Sequence, residues 1–106
     1  MKRKLWSGEI SWFNRDGSGR SGKARIVGSE RGDQIVFEYT WDRRRCIAEF
    51  DKLSGRGSAR HVGASVSHAK FTGLAHKPSE DQVEMQGGIW VEDGNDYDWK
   101  ADLGDY

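Results

Sequence analysis

The chain has 106 residues, 35% apolar and 32% charged, with five Trp, four Phe and three Tyr and no net charge. That length leaves room for one small core, which the large rings can fill, so neither a multidomain chain nor a disordered one is expected, and residues 1–106 read as a single domain. A lone cysteine, Cys46, excludes an internal disulfide, and no apolar run reaches the length of a signal sequence or a membrane span, so a cytoplasmic setting without a membrane partner is expected.

In chain order, alternation with a period of two recurs and no helix-period stripe of useful length does, which predicts strands throughout. Trp6, Gly8, Ile10 and Trp12 share one face of a first strand, closed by turn chemistry at Asp16-Gly17-Ser18-Gly19. Ala24 and Ile26 mark a short second strand. Ile35, Phe37, Tyr39 and Trp41 form the inner face of a third, and Cys46, Ala48 and Phe50 that of a fourth, with Asp42-Arg43-Arg44-Arg45 turning between them. Ser54-Gly55-Arg56-Gly57-Ser58 reads as a loop before a strand through Val62, Ala64 and Val66, which runs on or bends at Gly73 toward Phe71 and Leu74. Val83, Met85, Ile89 and Val91 make the next strand, with a bulge or bend at Gly87-Gly88; Asp93-Gly94-Asn95 is a hairpin turn. Tyr97, Trp99, Ala101 and Leu103 then alternate with Asp96, Asp98, Lys100 and Asp102 in a last strand. Short polar turns join only antiparallel neighbours. The expected fold class is therefore all-β, an antiparallel meander of seven or eight strands in a small closed or nearly closed barrel.

Little in this pattern points to catalysis. Hydrolase, P-loop and His-Glu-x-x-His motifs are absent, so no catalytic residues are assigned and the chain is expected not to be an enzyme. On an extended strand His61 and His68 point to opposite faces, and His68 and His76 lie roughly 26 Å apart, so no metal ligands and no cofactor are expected. Cys46 alternates with Ala48 and Phe50 as a small buried thiol would. The acidic residues sit in turns and on an outer face, where solvated charge is the ordinary role.

The large rings carry more information. Trp6, Trp12, Phe37, Tyr39, Trp41, Tyr97 and Trp99 fall on inner faces, where they either fill the core or line a ligand cavity. Trp90 has the opposite parity to Ile89 and Val91, which exposes it as an interface residue unless Gly87-Gly88 shifts the register. Residues 1–60 hold 14 Lys/Arg against 8 Asp/Glu, whereas residues 61–106 hold 3 against 9. That asymmetry predicts complementarity within the fold or between copies, and with Trp90 it suggests a homo-oligomer.

Two resemblances bear on function. Gly8-Glu9-Ile10-Ser11-Trp12-Phe13-Asn14 resembles the first strand of cold-shock domains, and Val36-Phe37-Glu38-Tyr39 is similar to their second motif. The likeness covers the first 40 residues or so, without the intervening aromatic motif. It implies a five-stranded barrel that binds single-stranded nucleic acid: Trp12, Phe13, Phe37 and Tyr39 would stack on bases, while Arg15, Arg20, Lys23 and Arg25 would meet phosphates. Trp99-Lys100-Ala101-Asp102-Leu103-Gly104-Asp105 resembles the closing strand of avidin-like barrels, which, like lipocalin-like ones, are eight-stranded meanders around a ligand. That second likeness implies a pocket protein with Trp12, Tyr39, Trp41 and Trp99 in its wall and His68 as a polar contact. The leading expectation is a non-catalytic binding protein for a small apolar or aromatic ligand. A nucleic-acid binder is the first alternative, and a structural or protein-partner module with a filled core is the second.

Overall fold

Alternating inner and outer residues fold here into nine strands, in a computed structural model that describes residues 6–15 and 21–105. They are β1 (Trp6–Asn14), β2 (Ser21–Arg31), β3 (Gln34–Trp41), β4 (Arg44–Asp51), β5 (Arg56–His61), β6 (Ala69–Thr72), β7 (Leu74–Ser79), β8 (Gln82–Glu92) and β9 (Asn95–Asp105). Every pairing is antiparallel: chain neighbours pair from β1 to β6 and from β7 to β9, β1 also pairs with β9, and β6 pairs with β8. The β6–β8 ladder closes the sheet. Because β6 and β7 both run along β8, they act as two halves of one strand bent at Gly73, and the result is a closed eight-stranded meander barrel. No helix of the described residues is long and apolar enough to cross a membrane.

Closure depends on a glycine pair. The β8–β9 register shifts between Gln86 and Ile89, and Gly87 has φ +86°. A Cβ on Gly88 would stand 1.7 Å from the Thr72 carbonyl oxygen, so only glycine lets β8 pass that close to the end of β6. The extra residue flips the parity of the remainder of β8. Trp90 turns inward and is 1% exposed, while Val91 turns outward. This corrects the expectation of an exposed Trp90 at an interface, because the two-residue alternation was counted straight through a bulge.

Two further boundaries differ from the sequence reading. The segment read as a loop around Arg56 opens β5, whose small residues fit because Phe71 lies over Gly57, where a Cβ would stand 2.3 Å from the ring. The predicted strand through Val62, Ala64 and Val66 is instead the β5–β6 connection. There Gly63 takes φ +91°, the Ala64 amide donates to the His61 carbonyl, and Val62 and Val66 are exposed. The second strand is also longer than Ala24 and Ile26 alone implied. The turn at Asp16-Gly17-Ser18-Gly19 lies outside the described residues.

The barrel has two unlike ends. At the end where β1 begins, Trp6, Ile10, Ile26, Ile35, Phe50, Val83 and Leu103 are all buried and fill the interior. Each large side chain so buried stabilises the fold by roughly 1.5–3 kcal/mol. Lys77 Nζ lies 5.3 Å from the Trp6 ring centroid and is held by Glu30 at 2.9 Å, so ionic groups cover the plug. A second ammonium, Lys52, also bonds Glu30. At the other end, where β3 and β8 stop, the interior opens.

Candidate functional site at the barrel mouth

The open end is ringed by tight connections that let side chains project across it. Asp42 and Arg43 join β3 to β4 with φ of +52° and +63°, and Asp93-Gly94 joins β8 to β9 with +52° and +76°. Paired left-handed residues make the two-residue turn whose twist suits a hairpin. Between these turns lies a cavity of about 430 Å³, lined by Trp12, Gly22, Tyr39, Trp41, Cys46, His61, His68, Trp90, Glu92, Asp93 and Tyr97.

One wall is aromatic. The Trp12 ring centroid lies 5.4 to 5.5 Å from those of Tyr39, Trp41 and Trp90, each tilted or edge-on, the arrangement that ring quadrupoles favour. Trp90 in turn stacks on Phe71 at 4.4 Å, so the wall is continuous with the core. Trp41 differs from the others: 44% exposed, it lies over Gly22, where a Cβ would stand 2.4 Å from the ring. It forms the rim. The indole nitrogen of Trp12 is buried without a hydrogen-bond partner among the described residues, a costly state for a donor.

The opposite wall is polar. Cys46 on β4 is the register partner of His61 at the end of β5, and its Sγ lies 3.5 Å from His61 Nδ1. The His61 and His68 rings stack at 4.0 Å, 8° from parallel. This corrects the expectation that they point to opposite faces: residues 62–68 leave the strand, so parity does not carry across them. Cys46, His61 and His68 thus bring one sulfur and two imidazoles together, each ligand atom within 4.8 Å of the others. Glu92 Oε1 accepts from the Trp90 indole at 2.9 Å and lies 3.9 Å from His68 Nε2.

Burial governs the ionisation of this wall. It pushes the Tyr39 hydroxyl well above its ordinary range, helped by the neighbouring Cys46 thiol. It also raises Cys46 against a lowering contribution from Tyr39. His61 is held below its ordinary value by desolvation first and by His68 and Arg44 next. The wall therefore presents a neutral imidazole, a thiol and a phenol at neutral pH.

Of the predicted pocket residues, Trp12, Tyr39, Trp41 and His68 meet at the cavity. Trp99 does not: it is buried beneath, its indole donating to the Thr72 carbonyl at 2.8 Å beside the Gly73 bend. The sequence reading set Trp90 at an exposed interface and Tyr97 on an inner face without assigning either to the pocket, since only the closed register supplies their neighbours on the other walls. It also missed the Cys46–His61 pair, whose cross-strand relation depends on the unrecognised β5.

The residues expected to grip nucleic acid are scattered. Trp12, Phe37 and Tyr39 are buried inside the barrel rather than set on its outer surface as a stacking platform, and the fold is an eight-stranded rather than a five-stranded barrel. Phe13, Lys23 and Arg25 are exposed on the outer face, but Arg25 stands opposite Glu9, and Arg15 pairs with Asp98 at 3.3 Å. Arg20 lies outside the described residues. Because β1 lies between β2 and β9, basic and acidic strands become near neighbours, and part of the charge asymmetry is met within one barrel.

Fold and site together define a closed antiparallel barrel, plugged at one end and open to an aromatic and polar cavity at the other. No family model, curated protein or solved structure matches the chain.

Proposed function

We propose that the protein is a non-catalytic binding protein that takes a small apolar or aromatic molecule into the mouth cavity. The observation that carries this reading is the unlike pair of barrel ends: core side chains plug one, while the other holds about 430 Å³ between aromatic rings. Small-molecule sites are of this size and combine apolar walls with fixed polar groups, as the aromatic and polar walls do here.

The test is a tryptophan-fluorescence titration with a panel of small aromatic and apolar compounds at low and high salt, alongside melting temperatures. Saturable quenching that tolerates salt, weakened roughly tenfold or more by Trp41→Ala at unchanged melting temperature, is the expected result; a tenfold loss corresponds to about 1.4 kcal/mol. The rim position of Trp41 makes that variant safe for the fold. A panel that neither quenches nor shifts the melting temperature rejects the pocket. Quenching by oligonucleotides that fades steeply with salt would replace it with the outer face as a nucleic-acid surface.

A further inference from the structure

We propose that Cys46, His61 and His68 form a three-donor site for a thiolate-binding divalent transition-metal ion of the zinc class, with the fourth coordination position facing the mouth cavity. This goes beyond the aromatic pocket and does not depend on it.

The donors come from separate segments: the start of β4, the end of β5 and the residue before β6. Their convergence is a product of the closed fold, since β4–β5 pairing sets Cys46 against His61 and the β5–β6 connection returns His68 onto the His61 ring. One sulfur and two imidazole nitrogens are borderline-to-soft donors that favour zinc-class ions over magnesium or calcium, which prefer oxygen. With metal–nitrogen bonds of about 2.0–2.1 Å and metal–sulfur bonds of about 2.3 Å, a tetrahedral site holds its donors roughly 3.5 Å apart. Cys46 Sγ and His61 Nδ1 already stand at 3.5 Å, and the widest ligand-atom separation is under 4.8 Å. A metal lies in the plane of each ring that ligates it, so binding requires at least one of the stacked, partly exposed histidines to rotate about its side-chain torsions out of the stack.

The surroundings match what such a site needs. His68 Nδ1 is buried and has no hydrogen-bond partner among the described residues, while its Nε2 faces Glu92. A metal on one ring nitrogen, here Nδ1, and a carboxylate beside the other is the usual division of labour for a ligating imidazole. Glu92 is itself held by the Trp90 indole. Binding converts the Cys46 thiol to a metal thiolate and releases its proton to solvent. Three protein donors leave one position for water or for an electron-pair donor entering the cavity.

The test is a Co²⁺ titration of the chelator-treated full chain, followed by Zn²⁺ competition. The expected result is one equivalent bound, with a thiolate-to-metal charge-transfer band and tetrahedral ligand-field bands that Zn²⁺ abolishes. Cys46→Ser removes the charge-transfer band, and His61→Ala and His68→Ala each weaken Co²⁺ at least tenfold, with Glu92→Gln weakening it less, within the ~10–100-fold typical of an outer partner. Circular dichroism and melting temperature in chelator establish that each variant is folded. Should Cys46→Ser unfold, the two histidine variants carry the test. No charge-transfer band, or Co²⁺ affinity indifferent to both histidine variants, overturns the site. The fluorescence titration with organic compounds, repeated in chelator, keeps the two readings apart: ligand quenching without cobalt binding rejects the metal and leaves the pocket.

Discussion

A cysteine 3.5 Å from a histidine nitrogen invites the expectation of an activated nucleophile, and at Cys46 the magnitudes run the other way. An imidazole lowers a thiol's pKa when it is protonated, but His61 is held below its ordinary value, so at neutral pH it supplies no positive charge. Burial acts on the thiol itself, which is 1% exposed and raised, and Tyr39 stands beside it with its own proton firmly held. In the metal-free chain Cys46 therefore reacts with a soluble disulfide reagent at least ~tenfold more slowly than in the urea-unfolded chain, at a mildly alkaline pH where an ordinary thiol is partly ionised. Equal rates in the two states would mean that the mouth admits the reagent and that the thiol is activated.

At the scale of elements, the bulge in β8 decides what the cavity wall is made of. Gly87 needs glycine for its φ of +86°, but a Cβ there meets nothing within 4 Å; Gly88 has no such φ, but a Cβ there would overlap Thr72 backbone atoms. Gly87→Ala thus costs about 1–2 kcal/mol of left-handed strain. Gly88→Ala must part β8 from β6 and costs several kcal/mol, enough to compromise a domain whose whole stability is on the order of 5–15 kcal/mol. Urea unfolding of the two variants checks the order, and equal losses would show that the strands do not pass this closely. The same pair marks how far the sequence was legible. Glycine doublets announce a bend, but not whether one residue is inserted, and that choice alone decides whether Trp90 faces the core or solvent. The strands with strong alternation, β1, β3 and β9, are readable because their inner residues are large and their outer ones polar. β5 escaped because Arg56-Gly57-Ser58-Ala59-Arg60 has the composition of a loop; its glycine is small because Phe71 occupies the interior there. Once β5 is missed, the Cys46–His61 pairing and the return of His68 are out of reach, since both are relations between strands rather than spacings along one. Of the candidate site, Trp12, Tyr39, Trp41 and His68 were therefore legible one by one, whereas the inward Trp90 and the convergence of Cys46, His61 and His68 were not.

Across the whole molecule, closing a meander barrel brings strands distant in sequence face to face, and the plugged end uses this to join β2 to β7, which are not neighbours in the sheet. Glu30 at the end of β2 bonds Lys52 and Lys77, and Lys77 in turn covers Trp6. Burial of this carboxyl pushes its pKa up, but the hydrogen bonds and charges of the two ammonium groups outweigh that and leave it below the ordinary value of 4.5. The folded state therefore releases the Glu30 proton more readily than the unfolded state. Its stabilising contribution is complete above the unfolded value of 4.5 and is lost as pH falls through the lower folded value. The carboxylate is 22% exposed and the Lys77 side chain 40%, so solvent screens the network, and the contribution is about 0.5–1 kcal/mol rather than that of a fully buried pair. Glu30→Gln removes the charge while keeping the shape. Urea unfolding of the two chains at about pH 7 and about pH 3 is expected to show the variant less stable by that amount at the higher pH, with the gap narrowing at the lower one. A gap of the same size at both would mean that the carboxyl acts through packing, and that the plug is held by the apolar side chains beneath it without help from the ionic cover.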